Sequence, residues 1–183
     1  MAKKTTTTPI TTSDESFSLL TDFDIHLFRS GKHFRLYNKL GAHTVQHGGR
    51  EGTYFAVWAP NATAVSVIGN FNYWQSGTHK LNPRWDESGI WEGFFSGITR
   101  GEVYKYAIQS NTGEYLEKAD PFAFYAEIPP KTASIVWKPS YEWNDQLWME
   151  QRKNQAGKNK PYSVYEVHLG SWQPVTDLSG IGS

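Results

Sequence analysis

The sequence predicts an all-β fold, an antiparallel sandwich preceded by short helices. Short apolar segments follow one another between residues 53 and 137, with Gly, Asn and Pro between them: "TYFAVWAP", "AVSVIGNFNYW", "GIWEGFFSGI", "EVYKYAIQS" and "ASIVW". A spacing of roughly 8–12 residues between short strands is typical of a sandwich. Because no helical pattern of about 10–15 residues separates these segments, a doubly wound parallel sheet is disfavoured.

The composition restricts the partners and the cellular compartment. Lys+Arg and Asp+Glu number 18 each among the 183 residues, so the net charge is zero, and no basic cluster indicates a nucleic-acid partner. The chain has no cysteine, which excludes disulfides and thiolate metal sites. No apolar run approaches the roughly 18 residues of a membrane span, and the start lacks a secretory signal. We therefore expect a cytoplasmic protein without a membrane partner.

The amino-terminal part divides into a tail and a helical lead-in. Residues 1–16 are rich in Lys and Thr and predict a disordered tail. Residues 17–50 are predicted to form a short helical lead-in: Phe17 to Leu40 carry apolar residues at helical spacing, and Gly31 and Gly41 lie where two short helices should end. Residues 51–140 then hold the β-segments of the sandwich.

The carboxy-terminal part predicts a connector and the beginning of another element. In residues 141–161, "YEWNDQLWMEQRKN" indicates a short helix and "QAGKNKP" a linker. In residues 162–183, the segment "YSVYEVHL" is apolar and β-branched, as in a buried strand, and Gly, Ser and Asp follow it.

Motifs for catalysis, metals and cofactors are missing from the sequence. There is no G-x-G-x-x-G, Walker loop or G-x-S-x-G, so no catalytic residue and no cofactor is predicted. His43 and His47 flank Gly48-Gly49 in a predicted loop, with no third ligand nearby, and we expect no metal site there.

Aromatic residues are the candidates for binding. Alternation in "VYKYAIQ" places Tyr104 and Tyr106 on one face and Lys105 on the other. Trp74 follows a strand in "VIGNFNYWQSG", and Tyr115 lies in the predicted hairpin turn "NTGEYLE". An aromatic ring beside hydrogen-bonding groups suits a sugar, which has an apolar face and polar hydroxyls. The alternative interpretation is that Trp74 packs over the sandwich, and composition alone favours this alternative.

Several motifs together resemble one enzyme family. "FAVWAPNATAVSVIGNFNYW", "GIWEGFF", "VYKYAI", "KADPFAF" and "YSVYEVHLGSW", with "YNKLGAH" before them, are similar to the amino-terminal part of 1,4-α-glucan (glycogen) branching enzymes. The resemblance covers roughly Leu20 to Trp172. The "VWAP…GNFNYW" pattern is shared with other α-glucan-active proteins, whereas "YEVHLGSW" is narrower and favours branching enzymes.

The resemblance implies a family-48 carbohydrate-binding module with an immunoglobulin-like sandwich of the early-set type. A (β/α)₈ barrel would follow it, and residues 162–183 would be the truncated first strand of that barrel. Because such a barrel needs about 250 residues, its catalytic carboxylates would lie beyond Ser183. The parent reaction would cleave an α-1,4 bond and transfer the glucan to a 6-OH, while this chain alone is expected to be inactive.

The same resemblance implies a glucan-binding site on the module. Trp74 would stack on the sugar, Lys105 would contact its hydroxyls, and Tyr115 would supply a second ring, with Asn72 as a further candidate. The expected partners are α-1,4-glucan or glycogen and the missing barrel. Two alternatives remain: a stand-alone module that targets a partner to glycogen, and a structural spacer without a ligand.

Overall fold

The computed structural model describes residues 17–155, 161 and 163–168. Helix α1 covers Asp22–Arg29, a 3₁₀ turn covers Leu36–Asn38, and nine strands follow. The strands are β1 Gly41–His47, β2 Arg50–Trp58, β3 Ala62–Gly69, β4 Asn82–Pro83, β5 Ile90–Ser96, β6 Val103–Ser110, β7 Tyr115–Lys118, β8 Tyr125–Ala126 and β9 Ser134–Ile135. A second 3₁₀ turn, Asn70–Asn72, follows β3, and helix α2 covers Gln146–Gln155.

The strands form two antiparallel sheets, which confirms the predicted all-β sandwich. The first sheet has the order β1-β2-β5-β4, and the second has the order β3-β6-β9-β8 with β7 also paired to β6. Apolar residues from both sheets form the core between them, as the alternation in β6 predicts: Tyr104 and Tyr106 are fully buried there with Phe55, Val65, Val67 and Phe95.

The helical lead-in covers the other face of the first sheet. A second apolar cluster joins Leu20, Ile25 and Leu40 to Tyr54 and Ile90 of the sheet. Helix α1 begins with a capping box: Thr21 Oγ1 accepts from the Asp24 N–H, and Asp24 Oδ2 accepts from the Thr21 N–H at 2.8 Å. The first sheet therefore packs against the core on one face and against the lead-in on the other.

Asp24 connects the two ends of the lead-in. Its carboxylate lies 2.8 Å from His33 Nε2 and 3.0 Å from Lys39 Nζ. Burial raises the pKa of Asp24, but the hydrogen bonds from Thr21, His33 and Lys39 outweigh burial and hold that pKa well below its usual range. The carboxylate thus stays charged and ties the loop after α1 to the helix.

The prediction of a helical segment through residue 50 is wrong after Leu40. Gly41–His47 form β1, which pairs with β2 along its whole length. Gly48 and Gly49 have positive φ values of 57° and 74° and connect the two strands, as required in a tight hairpin whose twist matches that of its strands. His43 and His47 consequently lie on a strand and not in the predicted loop. The Gly-Gly pair was the sequence signal for this hairpin.

The chain divides into two compact units, residues 1–140 and 141–183. In the second unit, α2 is the helix predicted from "QLWMEQRKN", and residues 163–168 contain neither helix nor strand. The rest of the strand predicted in residues 162–183, and the tail predicted in residues 1–16, lie outside the described residues. No helix in the described part of the chain is both long and apolar enough to cross a membrane.

Candidate functional site

The turn after β3 presents two aromatic residues in an unusual backbone conformation. Tyr73 and Trp74 have positive φ values of 54° and 60°, in the left-handed region that disfavours residues with a side chain. The Trp74 N–H donates to the Gly69 carbonyl at 2.9 Å, which closes the turn. Such strain persists only where the surrounding structure fixes it, and it is common at ligand sites.

Asn72 holds this turn from inside through hydrogen bonds. Its Oδ1 accepts from the Gly69 N–H at 2.9 Å, and its Nδ2 donates to the Val67 carbonyl at 2.9 Å and to Thr78 Oγ1 at 3.0 Å. The residue is buried and its amide is fully engaged with the protein. These bonds commit the Asn72 side chain to holding the turn that carries Trp74, so the structure lends no support to the predicted contact between Asn72 and sugar.

The Trp74 ring is fixed and partly open to solvent. Its Nε1–H donates to Asn70 Oδ1 at 3.0 Å, and 38% of the residue is exposed. Tyr73 beside it is far more exposed. A held but accessible indole can stack on a ligand with little loss of conformational entropy. The sequence pattern "GNFNYW" contains both rings, although Tyr73 was not among the predicted site residues.

Lys105 lies on the face of the second sheet that points away from the core. Strand register pairs Lys105 with Ile68 on β3, and Gln109 with Tyr115 on β7. Because side chains alternate along a strand, Lys105, Gln109 and Tyr115 share this face, which we call the outer face. Lys105 is half-buried, and no carboxylate among the described residues forms an ion pair with its ammonium.

The Trp74 turn folds onto the outer face. The Gly77 N–H at its end donates to Ser66 Oγ at 3.1 Å, and Ser66 lies opposite Ala107 in the β3–β6 ladder. The structure thereby joins the turn to the outer face, and the hydrogen bond from Trp74 ends on Gly69, the residue after Ile68 in β3.

Tyr115 begins strand β7 instead of lying in the predicted turn. It is 49% exposed, and its hydroxyl donates to Glu117 Oε1 at 3.1 Å. Partial burial and Glu117 raise the pKa of Tyr115, while the Ser76 hydroxyl, from the Trp74 turn, opposes that shift. The Tyr115 hydroxyl is consequently close to Glu117 of the sheet and to Ser76 of the turn. Ser76 and Glu117 were not predicted as site residues, although alternation from Tyr115 would have placed Glu117 on the same face.

Comparison with known proteins assigns this part of the chain. Residues 39–123 match the model of carbohydrate-binding module 48, the isoamylase N-terminal domain, and include every predicted site residue. The 1,4-alpha-glucan branching enzyme GlgB of Thermosynechococcus vestitus is 56% identical over 154 residues, and that of Aquifex aeolicus is 48% identical over 163 residues. Residues 39–123 are thus a carbohydrate-binding module of family 48, and the chain is similar to the amino-terminal part of 1,4-α-glucan branching enzymes.

The match to these branching enzymes covers 84% and 89% of this chain but only 20% and 26% of the two relatives. Among solved structures, Klebsiella pneumoniae pullulanase complexed with maltotriose is similar at 24% identity with a TM-score of 0.44, over 55% of this chain and 10% of that one. The chain thus corresponds to the amino-terminal part of the branching enzymes, with their carbohydrate-binding module.

The histidines of this branching-enzyme module have structural partners. His43 Nε2 lies 3.0 Å from the Leu40 carbonyl, and its ring packs edge-on against Phe124. Burial lowers the pKa of His43 and favours the neutral ring. Within the described residues, no group of three His, Cys, Asp or Glu side chains is arranged to hold a metal ion.

Proposed function

We propose that this chain binds α-glucan on its outer face, as the amino-terminal part of a cytoplasmic enzyme that introduces α-1,6 branches into glycogen. The observation that carries the proposal is the Trp74 ring, held in a strained turn that is bonded to the outer face. That face carries a half-exposed Tyr115 and Lys105, whose ammonium has no ion-pair partner among the described residues. The axial C–H groups of a glucose ring would stack on Trp74 or Tyr115. The Lys105 ammonium and the Gln109 amide would bind hydroxyls.

Binding by this module would support a reaction carried out elsewhere in the whole enzyme. Retaining glycosyl transfer needs a carboxylate nucleophile and a second carboxyl group as acid and base. The module would hold the polymer near such a centre and raise its effective concentration there. The acceptor would be a glucose 6-OH, as the resemblance to branching enzymes implies.

We expect the purified chain of 183 residues to show no branching activity. The two catalytic carboxyl groups of the mechanism would lie in the three quarters of the relatives that this chain does not span. Iodine staining of amylose after incubation checks this expectation, with a full-length relative as the positive control. A loss of colour comparable to that control would place the catalytic groups inside this chain.

Trp74→Ala is expected to weaken glycogen binding by roughly tenfold, because truncation of an aromatic anchor removes its stacking surface. Native electrophoresis through gels with and without glycogen gives the affinity from the retardation. Phe34→Ala is the matched control, since Phe34 is an exposed aromatic residue in the loop after α1 and belongs to neither sheet. Equal retardation of the Trp74→Ala protein and the parent chain would refute the proposed site.

A further inference from the structure

Trp85 is an exposed tryptophan outside the outer face. It lies in the turn between β4 and β5 of the first sheet, and 80% of the residue is accessible to solvent. An indole this exposed gains little from packing, so its contribution to folding is small. The exposed Trp85 indole is therefore a candidate for contact with a ligand.

The residues next to Trp85 hold the turn that carries it. Arg84 is buried, and its guanidinium contacts Asp86 Oδ2 at 2.9 Å and Glu92 Oε1 at 2.6 Å. The Arg84 N–H donates to the Ile90 carbonyl at 2.9 Å, and Asp86 Oδ1 accepts from the Ser88 N–H at 3.0 Å. The turn is thus ordered before any ligand binds, which lowers the entropic cost of ordering it on binding.

A cleft of about 300 Å³ opens beside the indole. One stripe of α1 lines it opposite Trp85, because residues three and four apart share a helix face: Asp22, Ile25, His26 and Arg29. Asp86 completes the lining, and Arg29 donates to the Asp86 carbonyl, so the helix and the turn are connected. The cleft joins an aromatic plane to a carboxylate, an imidazole and a guanidinium.

The charges in this cleft indicate the class of ligand. Asp22 and Asp86 are balanced by Arg29 and by Arg84, which is ion-paired to Asp86, so the cleft is close to neutral. A phosphorylated or strongly charged ligand would find no excess of opposite charge there. A neutral molecule with many hydroxyls and one apolar face matches the lining, since the polar side chains of the α1 stripe, Asp22, His26 and Arg29, can bind hydroxyls.

We propose that the cleft between α1 and the Trp85 turn is a second α-glucan site, with Trp85 as its stacking residue. The choice of α-glucan as the ligand rests on the function proposed above, whereas the site itself rests on the geometry of the cleft. The two sites belong to different sheets. One molecule could then hold two segments of branched polymer, and each site would raise the effective concentration at the other.

The test follows the indole N–H signals of Trp74 and Trp85 by NMR during titration of the full chain with maltoheptaose. Trp74→Ala and Trp85→Ala assign the two signals, and Phe34→Ala is the control for an exposed aromatic residue. We expect both indole signals to shift with saturation. In the Trp74→Ala protein, the Trp85 signal should titrate with an unchanged midpoint.

Glycogen electrophoresis of the same variants gives the second readout. Trp85→Ala should weaken retardation roughly fivefold, the double variant should not be retarded, and Trp85→Tyr should recover most of the affinity, because it keeps an aromatic ring. Unfolding curves should overlay those of the parent chain, as expected for an exposed residue.

The outcomes separate the two sites. A Trp85 signal that does not respond to maltoheptaose, or retardation unchanged in Trp85→Ala, overturns this second site and leaves the outer face in place. A response at Trp85 with none at Trp74 overturns the outer-face proposal and leaves the second site standing. A change in oligomeric state of Trp85→Ala in light scattering, with unchanged glucan binding, would show that the cleft is a protein contact and would refute a glucan site.

Discussion

Replacement of Asp120 by alanine is expected to lower the free energy of unfolding by about 3–5 kcal/mol, a large part of the 5–15 kcal/mol typical of a domain. Asp120 is buried beneath the second sheet. Its Oδ2 accepts from the Tyr104 hydroxyl at 2.6 Å and from the Tyr106 hydroxyl at 3.2 Å, and its Oδ1 accepts from the Phe122 N–H at 2.8 Å. Alanine would leave all three donors without an acceptor in a dry core, at about 1–3 kcal/mol each before relaxation.

Denaturant unfolding monitored by circular dichroism measures the loss. Tyr104→Phe is the control, because it removes one hydroxyl donor and leaves the Asp120 carboxylate with the donors of Tyr106 and Phe122. Asp86→Ala would not serve, since Asp86 lines the proposed cleft. Tyr104→Phe should cost only about 1 kcal/mol. If Asp120→Ala unfolds at the same denaturant concentration as the parent chain, the carboxylate does not organise the core in the way described.

The contribution of Asp120 to the stability of the protein depends on pH in a definite direction. Burial raises the pKa of Asp120, although the hydrogen bonds from Tyr104, Phe122 and Tyr106 oppose that shift. The folded state therefore binds this proton more tightly than the unfolded chain, so the contribution of Asp120 to stability increases as pH falls through its folded pKa. The stability of the parent chain relative to Asp120→Asn should accordingly rise on acidification, in the window above the ordinary pKa of aspartate. Asp24, whose pKa is lowered, has the opposite sign, and it is common to both proteins and cancels in the comparison.

The sandwich could be predicted because each long strand carries its own pattern. Alternation along β6 requires Tyr104 and Tyr106 to face the core together, and the register with β3 bears this out. Strand β1 was missed because "GAHTVQH" has only two strongly apolar residues, Ala42 and Val45, and its pairing depends on the hairpin with β2. Where the local pattern of a segment is weak, its secondary structure is thus decided by pairing with another strand in the folded protein.

The site was less predictable, because hydrogen bonds and not periodicity decide the roles of its residues. Trp74 and Lys105 could be chosen from a strand end and an alternation, both of which are local features. Asn72 looks equally available in the sequence, but its burial and its four polar neighbours make it a structural residue. Trp85 carries no motif at all, and only the fold shows that α1 forms a cleft beside it.

Gly69→Ala is expected to cost about 3 kcal/mol or more and to impair glucan binding at Trp74, although residue 69 touches no ligand. A Cβ at this position would collide with the Val103 carbonyl of β6 and lie 2.6 Å from the Phe71 ring. The backbone of Gly69 is extended, at φ −177°, so the cost is steric and does not come from a left-handed conformation. Because the nearest atom belongs to the backbone, the strand pair must separate to accommodate the methyl group.

Separation of β3 from β6 at residue 69 would disturb the Trp74 turn as well as the pairing of the two strands. The Gly69 N–H donates to Asn72 and its carbonyl accepts from Trp74, so one residue joins the end of β3 to the ring on the outer face. Denaturant unfolding and glycogen retardation, measured on the same preparation, should therefore decline together in Gly69→Ala. Gly113→Ala is the matched control: its φ of 89° costs about 1 kcal/mol, no atom lies within reach of its Cβ, and glucan binding should persist. Full glucan affinity in a destabilised Gly69→Ala protein would show that the turn keeps its shape independently of the strand, and that Asn72 alone suffices to hold Trp74.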